Sequence, residues 1–136
     1  MFVINDMELL ARLGKYKILS NILTKFSISI SAIRLNEYSF MLKKHIQMYS
    51  GLDLCYPNED FDNWVVGKRT NASLGDLSSL HLAHSQNLSI VLSNEDGHLE
   101  MMAKKGKVLF LNVDDFIRKT VKDPHMISMY DMIKAA

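Results

Sequence analysis

The chain has 136 residues, a formal net charge of +1 at pH 7 and an apolar fraction of 48%. This length predicts a single domain, residues 1–136, with room for a sizeable core. A charge near zero excludes broad electrostatic attraction to nucleic acid, and the single Cys55 excludes an internal disulfide and a cysteine-only metal cluster. No apolar run reaches the length of a membrane span and the N-terminus lacks a signal-peptide pattern, so we expect a cytoplasmic protein with no membrane partner.

The first half of the chain opens on a short apolar run, Phe2–Ile4, which predicts a buried first strand. Asn5 is the expected N-cap of the helix that follows, because Glu8 stands three residues later and completes a capping box; Gly14 ends this helix. The other elements predicted here are a helix over 16–26, a strand over 27–30, a long helix over 32–49 and an irregular segment over 53–58.

The second half is built around a helix–strand–helix–strand unit. Its predicted parts are a short helix over 61–68, a helix beginning after Ser73, a strand over 88–92, a polar turn over 93–97, a further helix, a strand over 107–111, and helices over 112–122 and 125–136. Strands that alternate with helices lie parallel, with helices on both faces. The predicted fold class is therefore α/β, a three-layer α/β/α arrangement with a central parallel sheet of four to five strands.

Glu37 lies in the predicted long helix among apolar residues. Three of them share its face: Ile33, Phe40 and Met41. A carboxylate on such a face is costly to bury unless it is paired, hydrogen-bonded or bound to a metal. The alternative explanation is a salt bridge to Arg34 or Lys44, or an apolar stripe that passes beside Glu37.

Asp76 is predicted to face packed surface as well, since Leu80 and Ala83 follow it on the same side of a helix. The alternative explanation is local: with Ser73 as N-cap, Asp76 occupies the third helical position, where a carboxylate suits the helix dipole.

Polar residues also follow two of the predicted strands. Ser93 is the expected N-cap of the helix after the 88–92 strand, with Asn94, Glu95 and Asp96 in its first turn. These side chains either complement the helix dipole or supply oxygen ligands for a hard cation such as Mg²⁺ or Mn²⁺. The same two interpretations apply to Asn5 and Asp6 after the first strand.

Other motifs do not compete with these acids. The chain has no GxGxxG, P-loop or GxSxG sequence, which disfavours a nucleotide-binding Rossmann enzyme and an α/β-hydrolase. His81 and His84 have no matching His or Cys pair, so we expect surface or satisfied core residues and not a zinc site.

The order of these segments resembles the PIN domain, a nuclease fold found in many bacterial toxins of toxin–antitoxin pairs and in RNA-processing factors. Residues 2–19 look like the family's first strand, acidic turn and following helices. Three further segments are similar to those that deliver its second, third and fourth acids: 28–37 with Glu37, 74–83 with Asp76, and 88–96 at the strand end. The resemblance extends to about residue 117.

The chain departs from the family at two positions. Asn5 stands where the family has its first Asp, and Asn94 stands where an Asp follows Ser or Thr at the fourth position. The resemblance implies a weakly held Mg²⁺ or Mn²⁺, with Asp6, Glu37, Asp76 and Asp96 as catalytic residues. The residues from which it implies the metal ligands are Asn5, Asp6, Glu37, Asp76, Asn94, Glu95 and Asp96.

The function expected from this resemblance is that of a PIN-like metal-dependent ribonuclease, which hydrolyses phosphodiester bonds of RNA. RNA is then the expected partner; a toxin would add an antitoxin or another protein partner, and a homodimer is left open. The first alternative is a catalytically impaired PIN-like module that binds protein or RNA without cleavage. The second is a plain α/β domain in which every acid serves as a helix-start residue.

Overall fold

A computed structural model describes residues 1–68, 70–93 and 96–135. The strands formed by these residues are β1 (Phe2–Ile4), β2 (Ile28–Ser31), β3 (Leu52–Cys55), β4 (Ser89–Leu92) and β5 (Phe110–Asn112). They form one sheet in the order β3-β2-β1-β4-β5, and every neighbouring pair is parallel. The predicted parallel sheet is confirmed, and the strand before Asn5 lies directly beside the strand before Ser93.

Helices cover both faces of this sheet and complete the three-layer α/β/α arrangement. In the described part of the chain they are α1 (Met7–Lys15), α2 (Ile18–Leu23), α3 (Ala32–Asn36), α4 (Phe40–Gln47), α5 (Glu59–Val65), α6 (Leu74–Gln86), α7 (Gly97–Lys105), α8 (Val113–Thr120) and α9 (Pro124–Ala135). None of these helices has the length and apolar character that a bilayer crossing requires.

The core consists of two apolar clusters, one on each face of the sheet. Alternation along β1 divides them: Phe2 and Ile4 join the cluster beneath α1, α2 and α8, whereas Val3 joins the cluster beneath α6 and α7. Successive side chains of a strand point to opposite faces, and both faces of a parallel sheet are covered, so the central strand β1 is apolar throughout. The helices that connect β1 to β2 and β3 to β4 thus lie on opposite sides of the sheet.

The segment predicted to be irregular over 53–58 begins with a strand, so that prediction is wrong for its first residues. Residues Leu52–Cys55 pair with β2 along their whole length and form an edge of the sheet. Asp53 is exposed, whereas Leu52 and Leu54 pack against the core. Edge strands tolerate such a polar residue because only one face needs to be apolar.

The long helix predicted over 32–49 is also wrong, because it is two helices. The first ends at Asn36, and Ser39 begins the second by accepting a hydrogen bond from the backbone N–H of Leu42 at 3.3 Å. The break lies at Glu37–Ser39, so Glu37 is not on a continuous helical face with Phe40 and Met41. Those two residues are 74% and 75% exposed.

Candidate functional site

The carboxyl ends of β1 and β4 form the switch point of the sheet, where the connecting helices leave toward opposite faces. Open α/β sheets build ligand sites at such points. Asn5 directly follows β1, and the N-terminus of α6 and the end of α3 lie close to it through contacts with Asp76 and Arg34. We call Asn5, Arg34, Glu37 and Asp76 the edge cluster.

Asn5 is the most buried member of the edge cluster, with 1% of its surface exposed. Its Nδ2 donates a hydrogen bond to Asp76 Oδ1 at 2.8 Å. Its Oδ1 is buried and has no hydrogen-bond partner among the described residues. Asn5 was predicted to cap α1, but that prediction is wrong: Asp6 is the N-cap, and its carboxylate accepts from the backbone N–H groups of Glu8 and Leu9.

Arg34 occupies the centre of the edge cluster. Its Nη1 lies 3.0 Å from Glu37 Oε1 and 3.2 Å from Asp76 Oδ1, so one guanidinium nitrogen bridges the two carboxylates. Its Nε donates to the backbone oxygen of Asn5 at 2.9 Å. Its Nη2 donates to the Tyr38 hydroxyl at 2.8 Å, and the guanidinium lies 4.9 Å from the centre of that ring.

These contacts keep Arg34 charged in a partly buried position. Burial by itself would lower the pKa of Arg34. The hydrogen bond to Glu37 and the electrostatic interactions with Tyr38, Asp76 and Glu37 together raise that pKa above its ordinary value. The planar guanidinium suits this role, since its five donors can serve several acceptors at once.

Glu37 connects the edge cluster to the N-terminus of α6. Its carboxylate accepts a hydrogen bond from the backbone N–H of Gly75 at 2.9 Å and another from the hydroxyl of Ser73 at 2.8 Å. Glu37 also forms the salt bridge with Arg34 that was the alternative explanation drawn from the sequence. A carboxylate in this position also satisfies the backbone N–H of Gly75, one of the donors that an α-helix leaves free in its first turn.

Asp76 combines the two interpretations drawn from the sequence. It forms the capping box with Ser73, in which the Ser73 hydroxyl accepts from the Asp76 N–H and the Asp76 side chain accepts from the Ser73 N–H. It is also 9% exposed and holds Asn5 and Arg34 through Oδ1. His98 Nε2 stands 3.9 Å from Oδ2, at the limit of an ion pair.

The remaining predicted ligands have other partners or lie outside the described residues. Asp96 accepts hydrogen bonds from the backbone N–H and the hydroxyl of Ser93, both at 3.0 Å. Ser93 was predicted to be the N-cap of the next helix, but α7 begins at Gly97 with Asp96 at its N-cap, so that prediction is wrong. Asn94 and Glu95 lie outside the described residues.

The described residues do not fit a divalent cation while Arg34 keeps this position. A metal bridging Glu37 and Asp76 needs the space that Nη1 occupies, since Nη1 already lies within 3.2 Å of an oxygen of each. Within residues 1–68, 70–93 and 96–135, no group of three or more His, Cys, Asp or Glu side chains is arranged to hold a metal. Among the described residues of the edge cluster, the buried Asn5 Oδ1 is an oxygen without a hydrogen-bond partner, which would suit a metal ligand.

Arg34 and Gly75 both shape the edge cluster, but neither was identified from the sequence as part of a site. The Arg34–Glu37 pair has an i, i+3 spacing and was expected as a local ion pair; its bridge to Asp76, 42 residues later, depends on the fold. Gly75 lets α6 approach Glu37, and the only local signal is a glycine in the first turn of a helix.

Comparisons with known proteins give no independent family assignment. No protein-family model matches the chain, and no curated protein matches it.

Proposed function

We propose that the chain is a PIN-like module that binds RNA without cleaving it, the catalytically impaired form of the expected ribonuclease. The parallel sheet with helices on both faces is compatible with a PIN-like fold. Asn5, Glu37 and Asp76, which match the family's first three acid positions, lie in contact or share Arg34 at the carboxyl edge.

The observation that carries this proposal is the position of Arg34 Nη1 between Glu37 and Asp76. Arg34 supplies the positive charge that a metal would otherwise supply to these carboxylates. A guanidinium does not coordinate a water molecule and lower its pKa, whereas a bound metal can activate a water for attack in this way. Asn5 further weakens the case for a metal, because it brings a neutral oxygen where the family has a carboxylate.

The second candidate is the metal-dependent ribonuclease itself, as a toxin with a protein antitoxin. The observation in its favour is the buried Oδ1 of Asn5, an oxygen without a partner among the described residues. In this candidate, Asn5, Glu37 and Asp76 would hold Mg²⁺ or Mn²⁺ after Arg34 moves away, and the ion would activate the attacking water.

The deciding experiment is a Mn²⁺ titration followed by the melting temperature, with RNA cleavage measured in parallel. A cation that binds the folded state and not the unfolded state stabilises the protein by RT ln(1 + [L]/Kd), where [L] is the free cation concentration. A cation site therefore raises the melting temperature. We expect no rise for the wild type. We expect a Mn²⁺-dependent rise for the double variant Asn5→Asp, Arg34→Met, in which the carboxylates gain a charge and lose their guanidinium.

Arg34→Met alone should lower the metal-free stability by about 2 kcal/mol, because charged hydrogen bonds are lost and two carboxylates stay unpaired. Arg12→Met, at an exposed arginine of α1, is the matched control and should change neither the metal-free stability nor the response of the melting temperature to Mn²⁺. A wild-type melting temperature that rises with Mn²⁺ and loses this response in Glu37→Gln would reject the proposal in favour of the ribonuclease.

A further inference from the structure

A groove lies between α5, α6 and α7, and none of its described lining residues belongs to the edge cluster. Its volume is about 350 Å³. The residues that line it are Trp64, Lys68, Thr70, Leu80, His84, Met102, Lys105, Gly106 and Val108. These side chains come from three helices and the loops beside them, so the groove is a product of the fold and not of one sequence motif.

The lining of the groove combines aromatic, apolar and basic groups. Lys68, His84 and Lys105 are exposed, and none of the lining residues that the structure describes is acidic. Asp60 on α5 forms a hydrogen bond with the buried His81 at 2.8 Å and does not line the groove. The groove therefore presents positive charge although the chain as a whole is nearly neutral.

Trp64 is positioned to offer a ring face to a ligand. Phe61 and His81, both buried, hold the indole from the interior, with ring centroids 6.3 Å and 5.3 Å away. Lys68 Nζ lies 4.4 Å from the centre of the indole ring. Because Lys68 is exposed, the part of the ring that it covers is reached from solvent, and a planar base could replace the ammonium there.

The edge cluster is poorly suited to attract RNA by itself. Its two carboxylates and single guanidinium leave one negative charge without a partner among these side chains, and phosphate groups are repelled by such a charge. A module that binds RNA without a metal needs its positive charge elsewhere. The groove supplies it beside an aromatic ring, the combination that binds single strands by stacking and by phosphate contacts.

We infer that this groove binds a segment of single-stranded RNA, with one base against Trp64 and flanking phosphates beside Lys68 and Lys105. The inference rests on the proposed RNA-binding function and deepens it by locating the bound strand. His84 lies eight residues after Asp76 along α6, which corresponds to about 12 Å of helix. The groove and the edge cluster therefore lie along the same helix.

The experiment uses the full chain and a fluorescently labelled oligouridylate, with binding followed by anisotropy. Trp64 is the only tryptophan, so its intrinsic fluorescence reports on the groove in the same titration with unlabelled oligouridylate. We expect saturable quenching of Trp64 with the same midpoint as the anisotropy change. A double-stranded RNA of the same length should bind more weakly, because its bases are not free to stack.

The charge of the groove is tested by Lys68→Glu with Lys105→Glu, which should weaken binding at least tenfold. The matched control is Lys25→Glu with Lys119→Glu, the same change of net charge at two exposed lysines that do not line the groove. Trp64→Leu, which removes the ring and keeps apolar bulk, should weaken binding about tenfold by anisotropy. Its melting temperature shows whether the fold is kept; the two lysine pairs test the groove independently of it.

The outcomes separate the groove from the proposed function. Oligouridylate binding that both lysine pairs weaken equally, or that leaves Trp64 fluorescence unchanged, overturns the groove and leaves RNA binding in place. Equal quenching by an oligoglutamate peptide overturns it as well, because the groove would then bind acidic peptides. No binding of any RNA by anisotropy overturns both proposals.

Discussion

Gly75 determines how closely the N-terminus of α6 approaches the edge cluster. A Cβ at this position would stand 2.1 Å from Glu37 Oε1 and 2.7 Å from the Cα of Arg34. The first atom can move with its side chain, but the second belongs to the backbone of α3. Gly75→Ala should therefore lower the free energy of unfolding by about 1–3 kcal/mol, the usual range for overpacking.

Denaturant unfolding measures this difference, and Gly97→Ala is the matched control. Gly97 also lies in the first turn of a helix, and a Cβ there meets no described atom within 4 Å. Alanine should be neutral or slightly stabilising at Gly97, because it lowers the conformational entropy of the unfolded chain. Equal effects at both glycines would show that the approach of α6 to Glu37 is not tightly packed.

At the scale of elements, α8 and α9 are joined by the carboxylate of Asp114. Tyr130 donates to it at 2.7 Å, and Lys134 Nζ lies 3.0 Å away. The hydrogen bond from Tyr130, and then the one from Lys134, lower the pKa of Asp114. Burial, followed by the hydrogen bond to Asp114, raises the pKa of Tyr130, so the phenol stays a donor at neutral pH.

A lowered folded-state pKa makes this contribution to stability depend on pH. It is fully present above the ordinary carboxyl pKa of about 3.9 and is lost as pH falls through the lower folded value. Asp114→Asn should reduce the stability at neutral pH by less than about 1 kcal/mol, since the Asp114 side chain is 45% exposed and solvent screens its charge. Melting temperatures measured from about pH 6 down to about pH 3 should show the two proteins converging at the acid end.

The matched control for this pair is Asp131→Asn on α9, whose carboxylate forms a longer ion pair of 3.6 Å with Arg118. A difference between wild type and Asp114→Asn that grows as the pH falls would contradict the assigned role of Asp114.

Elements were predictable from the sequence where apolar periodicity and caps agreed. Residues Phe2–Ile4 and residues 90–92 of β4 are apolar because both faces of a central strand are buried. The edge strand β3 was missed because only alternate residues need to be apolar there. The break after Asn36 was missed because Ser39 can stand inside a helix as well as cap one, and packing decides between these.

At the scale of the whole molecule, Asn5, Glu37 and Asp76 are the predicted ligands that lie close together, and the sequence did not predict that Arg34 would neutralise the two carboxylates. Helix–strand alternation predicts the parallel sheet, and the observed strand order, with β1 beside β4, accompanies the contact of Asn5 with Asp76. The bridging role of Arg34 does not follow from it, because an ion pair three residues apart in a helix is common and says nothing of a third partner. Its significance depends on the distance to Asp76, which only the assembled fold determines.

The nearly neutral charge of the whole molecule predicts how RNA binding responds to salt. Each phosphate neutralised on a single strand contributes about −0.7 to the slope of log affinity against log salt concentration. With Lys68 and Lys105 as the principal cations of the groove, we expect a slope of about −1.4 between about 50 and 200 mM salt. Lys68→Glu with Lys105→Glu should bring the slope close to zero, whereas Lys25→Glu with Lys119→Glu should leave it unchanged.

A wild-type slope steeper than about −4 would mean that many cations outside the groove contact the strand, which the net charge of +1 argues against. A slope near zero would mean that binding is carried by stacking on Trp64 without phosphate contacts, and the lysines would then have no part in holding RNA.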